Sequence, residues 1–365
     1  MVDTSAYAPV RVGIIGTGVI SGIYLQNAKR FPILDVVAVA DLFQDRAAAK
    51  AAEYGVPGVL TVDEMLASPD IDLVLNLTIP AAHADIALRA VEAGKSVYNE
   101  KPLTIELDEG QRLLDLAKVK GVLVGCAPDT FLGAGLQTCR QLIDDGVIGE
   151  PVAATAFMMG HGPESWHPDP GFFYQQGAGP LFDMGPYYLT ALISLFGGIR
   201  RVTGSARASF PQRTIGSQPR AGEKIVVNTP THSAAVLDFT TGPIATFVTS
   251  FDVWSRETRI EIYGSDATLA VPDPNTFGGP VRIRRPNEAE WEEVELTHDF
   301  ADNSRGIGLA DLATAIRTGG TARASGDLAF HVLETMHAIY QASDSGKHVD
   351  LTHQVERPEP LLASE

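Results

Sequence analysis

The chain has 365 residues, a length that at ~150 per domain sets a prior of two domains. Its 45% hydrophobic and 20% charged residues exclude a wholly disordered or fibrous chain. A formal net charge of -17 repels phosphate backbones and anionic lipid, and two cysteines, Cys126 and Cys139, are too few for a disulfide framework. The opening MVDTSAYAPV has no basic segment followed by an apolar one, as a secretory signal would. The expectation is a cytoplasmic protein with a small-molecule partner, and neither nucleic acid nor membrane.

In chain order, short apolar runs alternate with helix-period segments, the pattern of parallel strands joined by crossover helices. Strands are expected at Val10 to Ile15, Leu34 to Ala40, Leu73 to Leu77, Ser96 to Tyr98 and Val122 to Gly125. Helices are expected at Gln44 to Tyr54, Val62 to Ala67 and His83 to Ala93; the second has Thr61 and Glu64 at capping-box spacing and the third ends at Gly94. This is a doubly wound α/β sheet, placed at residues 1–127.

Beyond it, a helix at Gly133 to Asp145 precedes strand-like runs at Val152 to Met159, Ala234 to Phe239, Ile244 to Phe251, Arg259 to Tyr263 and Val281 to Arg285. Turn signals such as Thr241-Gly242-Pro243 separate them, so residues 128–365 are expected to form an α+β domain with a large, mostly antiparallel open sheet. The uncharged run Met184 to Ile199 is too short for the ~20 apolar residues of a bilayer span and is read as a buried helix. Helical periodicity returns at Ile307 to Arg317 and Leu328 to Ser343, within about 306–345, where helices can pack back on the first domain. The tail PEPLLASE reads as frayed.

Gly16-Thr17-Gly18-Val19-Ile20-Ser21 follows the first strand and opens a helical pattern. In that context Gly16 allows the tight turn, Gly18 admits a pyrophosphate to the helix N-terminus, and Val19 and Ile20 flank it. Ser21 stands where the pattern has a third glycine and is small enough to keep helix and strand close. Asp41 ends the second strand, 25 residues after Gly16, where an acidic group meets the adenine ribose hydroxyls and repels a 2′-phosphate. NAD is thereby favoured over NADP; otherwise Asp41 caps the next turn.

The segment Thr78 to His83, including Pro80, leaves a strand at its carboxyl end and would run beside the dinucleotide, although His83 could equally cap the following helix. Glu100-Lys101-Pro102 leaves the next strand at the same edge, and the proline fixes the direction of Lys101. A lysine there, shielded from water beside a cationic ring, can polarise or deprotonate an alcohol. No His-Glu-x-x-His or comparable ligand spacing occurs, so no metal is expected.

With Gly16-Thr17-Gly18, Ala93-Gly94-Lys95 leading into Glu100-Lys101-Pro102-Leu103, Gly179-Pro180-Leu181-Phe182-Asp183-Met184-Gly185 and Arg323-Ala324-Ser325-Gly326, the sequence resembles the Gfo/Idh/MocA family of NAD(P)-dependent oxidoreductases. The resemblance implies a substrate site with the lysine of Glu-Lys-Pro, here Lys101, the aspartate Asp183 and a histidine four residues later. It also implies a homodimer or homotetramer. At the histidine position this chain has Tyr187, as do family members resembling glucose-fructose oxidoreductase.

Asp183 and Tyr187, four apart on a helix, share a face; Tyr187 can exchange an alcohol proton, or it packs in the core. Trp166 and His167 suit a sugar pocket, and His167 is an alternative to the family histidine. The reading is an NAD-dependent oxidoreductase acting between a secondary hydroxyl and a keto group of a sugar, polyol or sugar derivative. Its rivals are a same-fold enzyme that uses tightly bound NAD transiently, and a non-catalytic dinucleotide sensor.

Overall fold

The computed structural model describes Thr4 and residues 6–363. The fold begins with β1 (Val10–Ile15), α1 (Ser21–Ala28), β2 (Leu34–Ala40), α2 (Gln44–Tyr54), β3 (Gly58–Val59) and α3 (Val62–Ala67). Then come β4 (Leu73–Asn76), α4 (Pro80–Glu92), β5 (Ser96–Asn99), α5 (Leu107–Lys120) and β6 (Val124–Cys126). The six strands form one parallel sheet in the order β3-β2-β1-β4-β5-β6. The order reverses between β1 and β4, and the crevice at that switch point is where such sheets take ligands.

Continuous apolar runs make these strands, because helices cover both faces of a parallel sheet. Val12, Ile14, Leu73, Val74 and Leu75 are 0% exposed. Local signals set the ends: the Thr61 and Glu64 capping box starts α3, and left-handed Gly55 and Gly121 close α2 and α5.

The chain continues through α6 (Ala134–Asp144), β7 (Pro151–Met159), α7 (Gly179–Phe196), β8 (Ile199–Arg207), β9 (Gln212–Thr214) and β10 (Lys224–Val226). There follow β11 (His232–Phe239), β12 (Ile244–Ser250), β13 (Glu257–Gly264), β14 (Thr268–Val271), β15 (Val281–Arg284) and β16 (Glu292–Val294). Last come α8 (Ile307–Thr318), α9 (Gly326–Ser345) and β17 (Val349–Asp350). Nine strands make a second sheet, β16-β15-β14-β13-β7-β12-β11-β8-β17, antiparallel at every pairing except β7 with β12. Buried residues alternate along β11 and β12, and α7 packs on the strands β7, β11 and β12.

Two compact units result: Met1–Leu132 with Asn303–Leu333, and Gly133–Asp302 with Glu334–Glu365. In the first, Arg317 of α8 donates to the carbonyls of Ala8 and Pro9 and to Asp72, and Phe330 joins the apolar cluster around Leu113, Ala117 and Val124.

The tail is not frayed through Leu361. Leu361 is buried, its N–H donates to Gln137 Oε1 at 2.8 Å and its carbonyl contacts His298. The apolar pair Leu361-Leu362 within a polar tail was the missed signal. Among the described residues no helix is long and apolar enough to cross a membrane.

Candidate active site

In the first unit the site starts at the turn after β1. Gly16 has φ +99°, and a Cβ there would lie 2.6 Å from the carbonyl carbon and oxygen of Leu77. Only glycine fits, because the chain leaving β4 crosses directly over it. Gly18 is the opposite case: a Cβ there meets nothing within 4 Å. The space lies open at the start of α1, whose capping residue Ile20 makes no side-chain cap; the Ser21 and Gly22 N–H groups turn back to the Gly18 and Val19 carbonyls at 3.2 and 3.4 Å. Ser21, in place of a third glycine, is buried and donates its hydroxyl to the Gly18 carbonyl at 2.7 Å. Val19 is fully exposed. This cradle fits a dinucleotide pyrophosphate.

Asp41, 8% exposed, accepts the Thr17 N–H and hydroxyl on one oxygen and the Phe43 N–H on the other. Burial pushes its carboxyl up, but these bonds and the charge of Arg46 outweigh burial and hold it below the usual range. Arg46 sits over the ring of Phe43.

The loop after β4 is held from below. Asn76 Oδ1 accepts the Thr78 N–H and hydroxyl, while its amide donates to Asn99 Oδ1 and to the His83 carbonyl. Pro80 is the first residue of α4, and His83 is fully buried inside its first turn. The His83 ring does not open onto the crevice: Nδ1 lies 2.7 Å from the Pro102 carbonyl oxygen and Nε2 3.0 Å from that of Thr78.

Glu100 follows β5. It accepts the Tyr24 hydroxyl on one oxygen and the Lys101 N–H on the other, each at 2.9 Å. The turn that carries Lys101 is therefore tied to α1 by Glu100 and to α4 by His83.

In the second unit, Gly179 opens α7 with φ +79°, and a Cβ there would lie 2.6 Å from the Pro230 carbonyl oxygen. Asp183 is half-buried and Tyr187, one turn on, is 8% exposed. Upstream, Trp166 is 65% exposed, and the His167 ring lies edge-on to Phe172 and Phe173 while its Nδ1 accepts the Asp169 N–H. This segment is pinned by residues that sequence reading assigned no part. Buried Arg213 donates to Glu164, to Asp252 and to the carbonyls of His161 and Phe251, and Tyr174 donates to Glu164. Arg213 is 49 positions from Glu164, so no local pattern could reveal the pair. Among the described residues no group of His, Cys, Asp and Glu is arranged to hold a metal.

Residues 10–127 match the oxidoreductase family with an NAD-binding Rossmann fold, and residues 136–270 match the GFO/IDH/MocA C-terminal domain. The chain belongs to the GFO/IDH/MocA oxidoreductase family. Among its relatives is inositol 2-dehydrogenase 3 of Saccharopolyspora erythraea, 28% identical over 289 residues that cover 78% of this chain and 80% of the relative. Another is 1,5-anhydro-D-fructose reductase of Ensifer adhaerens, 27% identical over 345 residues, 93% of this chain and 98% of that one. An NAD-binding oxidoreductase from Klebsiella pneumoniae has the same fold, with TM-score 0.83 at 23% identity over 94% of this chain and 100% of its own. The family's Rossmann domain binds NAD, in agreement with the cradle at Gly16 and Gly18.

Proposed function

We propose that this oxidoreductase is an NAD-dependent dehydrogenase that interconverts a secondary hydroxyl and a keto group on a sugar, polyol or sugar derivative. The observation that carries the reading is the pair of His83 contacts, 2.7 Å to Pro102 and 3.0 Å to Thr78. Through the first of them His83, in the first turn of α4, fastens the lysine-bearing turn to the helix that follows the loop beside the dinucleotide cradle, all in a single unit. Relatives that act on inositol and on an anhydro sugar support the substrate class.

Gly16, Gly18, Val19 and Ile20 are assigned to the pyrophosphate, Asp41 to the adenine ribose, and Thr78, Pro80 and Glu100 to the wall along the dinucleotide. The Asp41 carboxylate favours NAD over a 2′-phosphorylated cofactor by like-charge repulsion. Bound NAD supplies the hydride acceptor.

To the chain's own side chains fall position and proton. Lys101 Nζ polarises the substrate hydroxyl, Tyr187 as the phenolate takes up its proton in place of the histidine usual in the family, and Asp183 orients the substrate through its other hydroxyls. Trp166 and His167 supply an aromatic wall for the apolar face of a sugar ring. The enzyme is assigned to the cytoplasm and to a homodimer or homotetramer.

The test is NADH formation at 340 nm with NAD and a panel of inositols, aldoses, polyols and glycosides. A substrate-dependent rise that saturates supports the assignment. Saturable NAD binding with no rise for any member of the panel contradicts it.

A further inference from the structure

His83 is a buried titratable group with two partners, and both are backbone carbonyl oxygens. A carbonyl cannot donate, so each contact is a hydrogen bond only where the ring nitrogen carries a proton. A neutral imidazole satisfies one of them and an imidazolium both. The shorter contact, Nδ1 to Pro102 at 2.7 Å, takes the single N–H of the neutral ring. Pro102 is bonded directly to Lys101, and the next residue, Leu103, is held through its carbonyl by the Asn99 amide at 2.9 Å. The turn is thus gripped on both sides of the Pro102-Leu103 peptide by side chains that leave the crevice itself untouched.

We propose that His83 is a positioning residue for Lys101, a strut anchored in the first turn of α4 whose Nδ1–H holds the Pro102 carbonyl. It acts on the chemistry through Lys101 and makes no contact with the dinucleotide, which sets it apart from the cofactor ligand that its sequence position suggests. The inference rests on the dehydrogenase reading for the role of Lys101. The charged groups facing the ring are Glu100, which favours the imidazolium, and Lys101, which opposes it; burial is the largest influence and lowers the pKa of His83 below the ordinary histidine value. The ring accordingly works in its neutral form near pH 7, with the proton on Nδ1.

The two ends of the strut separate by substitution, because an asparagine amide reaches about where Nδ1 lies and a glutamine amide about where Nε2 lies. His83→Asn should keep kcat within about threefold of the parent, while His83→Gln and His83→Ala lose about 10- to 100-fold in kcat through misplacement of Lys101. All three should keep KM for NAD within about threefold. A direct cofactor ligand would instead raise that KM with kcat unchanged, and a merely structural residue would lower Tm in all three without rescue by asparagine.

Two readouts stand apart from turnover. The rate of reductive methylation at Lys101, followed by mass spectrometry, should change severalfold in His83→Gln and His83→Ala but not in His83→Asn. In the unmodified protein at pH 7, 15N spectra of His83 should show a protonated Nδ1. If no sugar or polyol is oxidised the dehydrogenase reading falls, while the methylation and 15N results still decide the strut. A bare Nδ1, or a Lys101 methylation rate indifferent to His83→Gln, overturns it.

Discussion

Thr17 gives both its backbone N–H and its hydroxyl to one oxygen of Asp41, each at 2.8 Å. The residue after β2 thus shapes the glycine turn after β1, and under the proposed assignment one carboxylate couples cofactor preference to cofactor affinity. Asp41→Ala leaves the buried Thr17 donors without an acceptor, at about 1–3 kcal/mol. NAD affinity should fall at least about tenfold by fluorescence titration. Asp41→Ser, which removes the charge but keeps an acceptor, should shift the NADP to NAD affinity ratio toward NADP. An unchanged ratio would remove Asp41 from the account of cofactor choice.

Gly16 and Gly18 should separate folding from binding. Gly16→Ala forces a side chain against the Leu77 backbone at a left-handed φ, at a cost of about 1–3 kcal/mol from the backbone alone. Its Tm should drop. Gly18→Ala projects into open space, so Tm should stay nearly level while the Kd for NAD rises. Equal NAD affinity in Gly18→Ala and the parent would show that the open space is not where the dinucleotide lies.

Much of the first sheet was legible because parallel strands are buried on both faces and read as continuous apolar runs, as Leu73 to Leu75 do. The helix α5 was not legible. Its sequence LDEGQRLLDLAKVK is largely polar with Gly110 in its interior, and glycine argues against a helix. Gly110 is there because the Phe330 ring would lie 2.9 Å from a Cβ, a contact 220 positions away in sequence.

The strand β8 was hidden for a different reason. Its burial comes only from Ile199 and Val202, and its pairing with β11 and β17 carries the rest. In the site, the glycine turn and the Glu100-Lys101-Pro102 turn were legible as motifs. The buried Glu164, Arg213 and Asp252 cluster was not, since ion pairs between distant segments leave no periodicity.

Asp72 makes the first unit sensitive to acid. Burial pushes its carboxyl up, but hydrogen bonds from Arg11 and Arg317 outweigh burial and bring it from 3.8 to about 2. A lowered folded pKa contributes stability that is present above 3.8 and is lost as pH falls toward 2. With solvent reaching Asp72 and Arg11, the contribution is about 1 kcal/mol. Urea unfolding at pH 5 and pH 2.5 should show a smaller loss in Asp72→Asn than in the parent. Identical losses would contradict the linkage.

Asp129 works in the opposite direction. One of its oxygens accepts the N–H groups of Gly306 and Gly308 at the start of α8, yet burial raises its carboxyl from 3.8 to about 6. A raised folded pKa gives stability that is complete below 3.8 and is lost as pH rises through 6, up to about 3 kcal/mol. Asparagine keeps the accepting oxygen and cannot ionise. Asp129→Asn should therefore gain stability relative to the parent between pH 4 and pH 7, measured by denaturant unfolding. A difference that is constant with pH would contradict the assignment.

The most direct measurement compares the parent with Lys101→Met under saturating NAD, using whichever inositol, aldose, polyol or glycoside gives NADH, with the Kd for NAD measured alongside. If Lys101 acts on the substrate hydroxyl and not on the cradle, kcat falls by about 100-fold or more while NAD binds as before. A variant that still makes NADH at the parental rate would exclude Lys101 from the reaction, and the proton chemistry would then lie with other side chains.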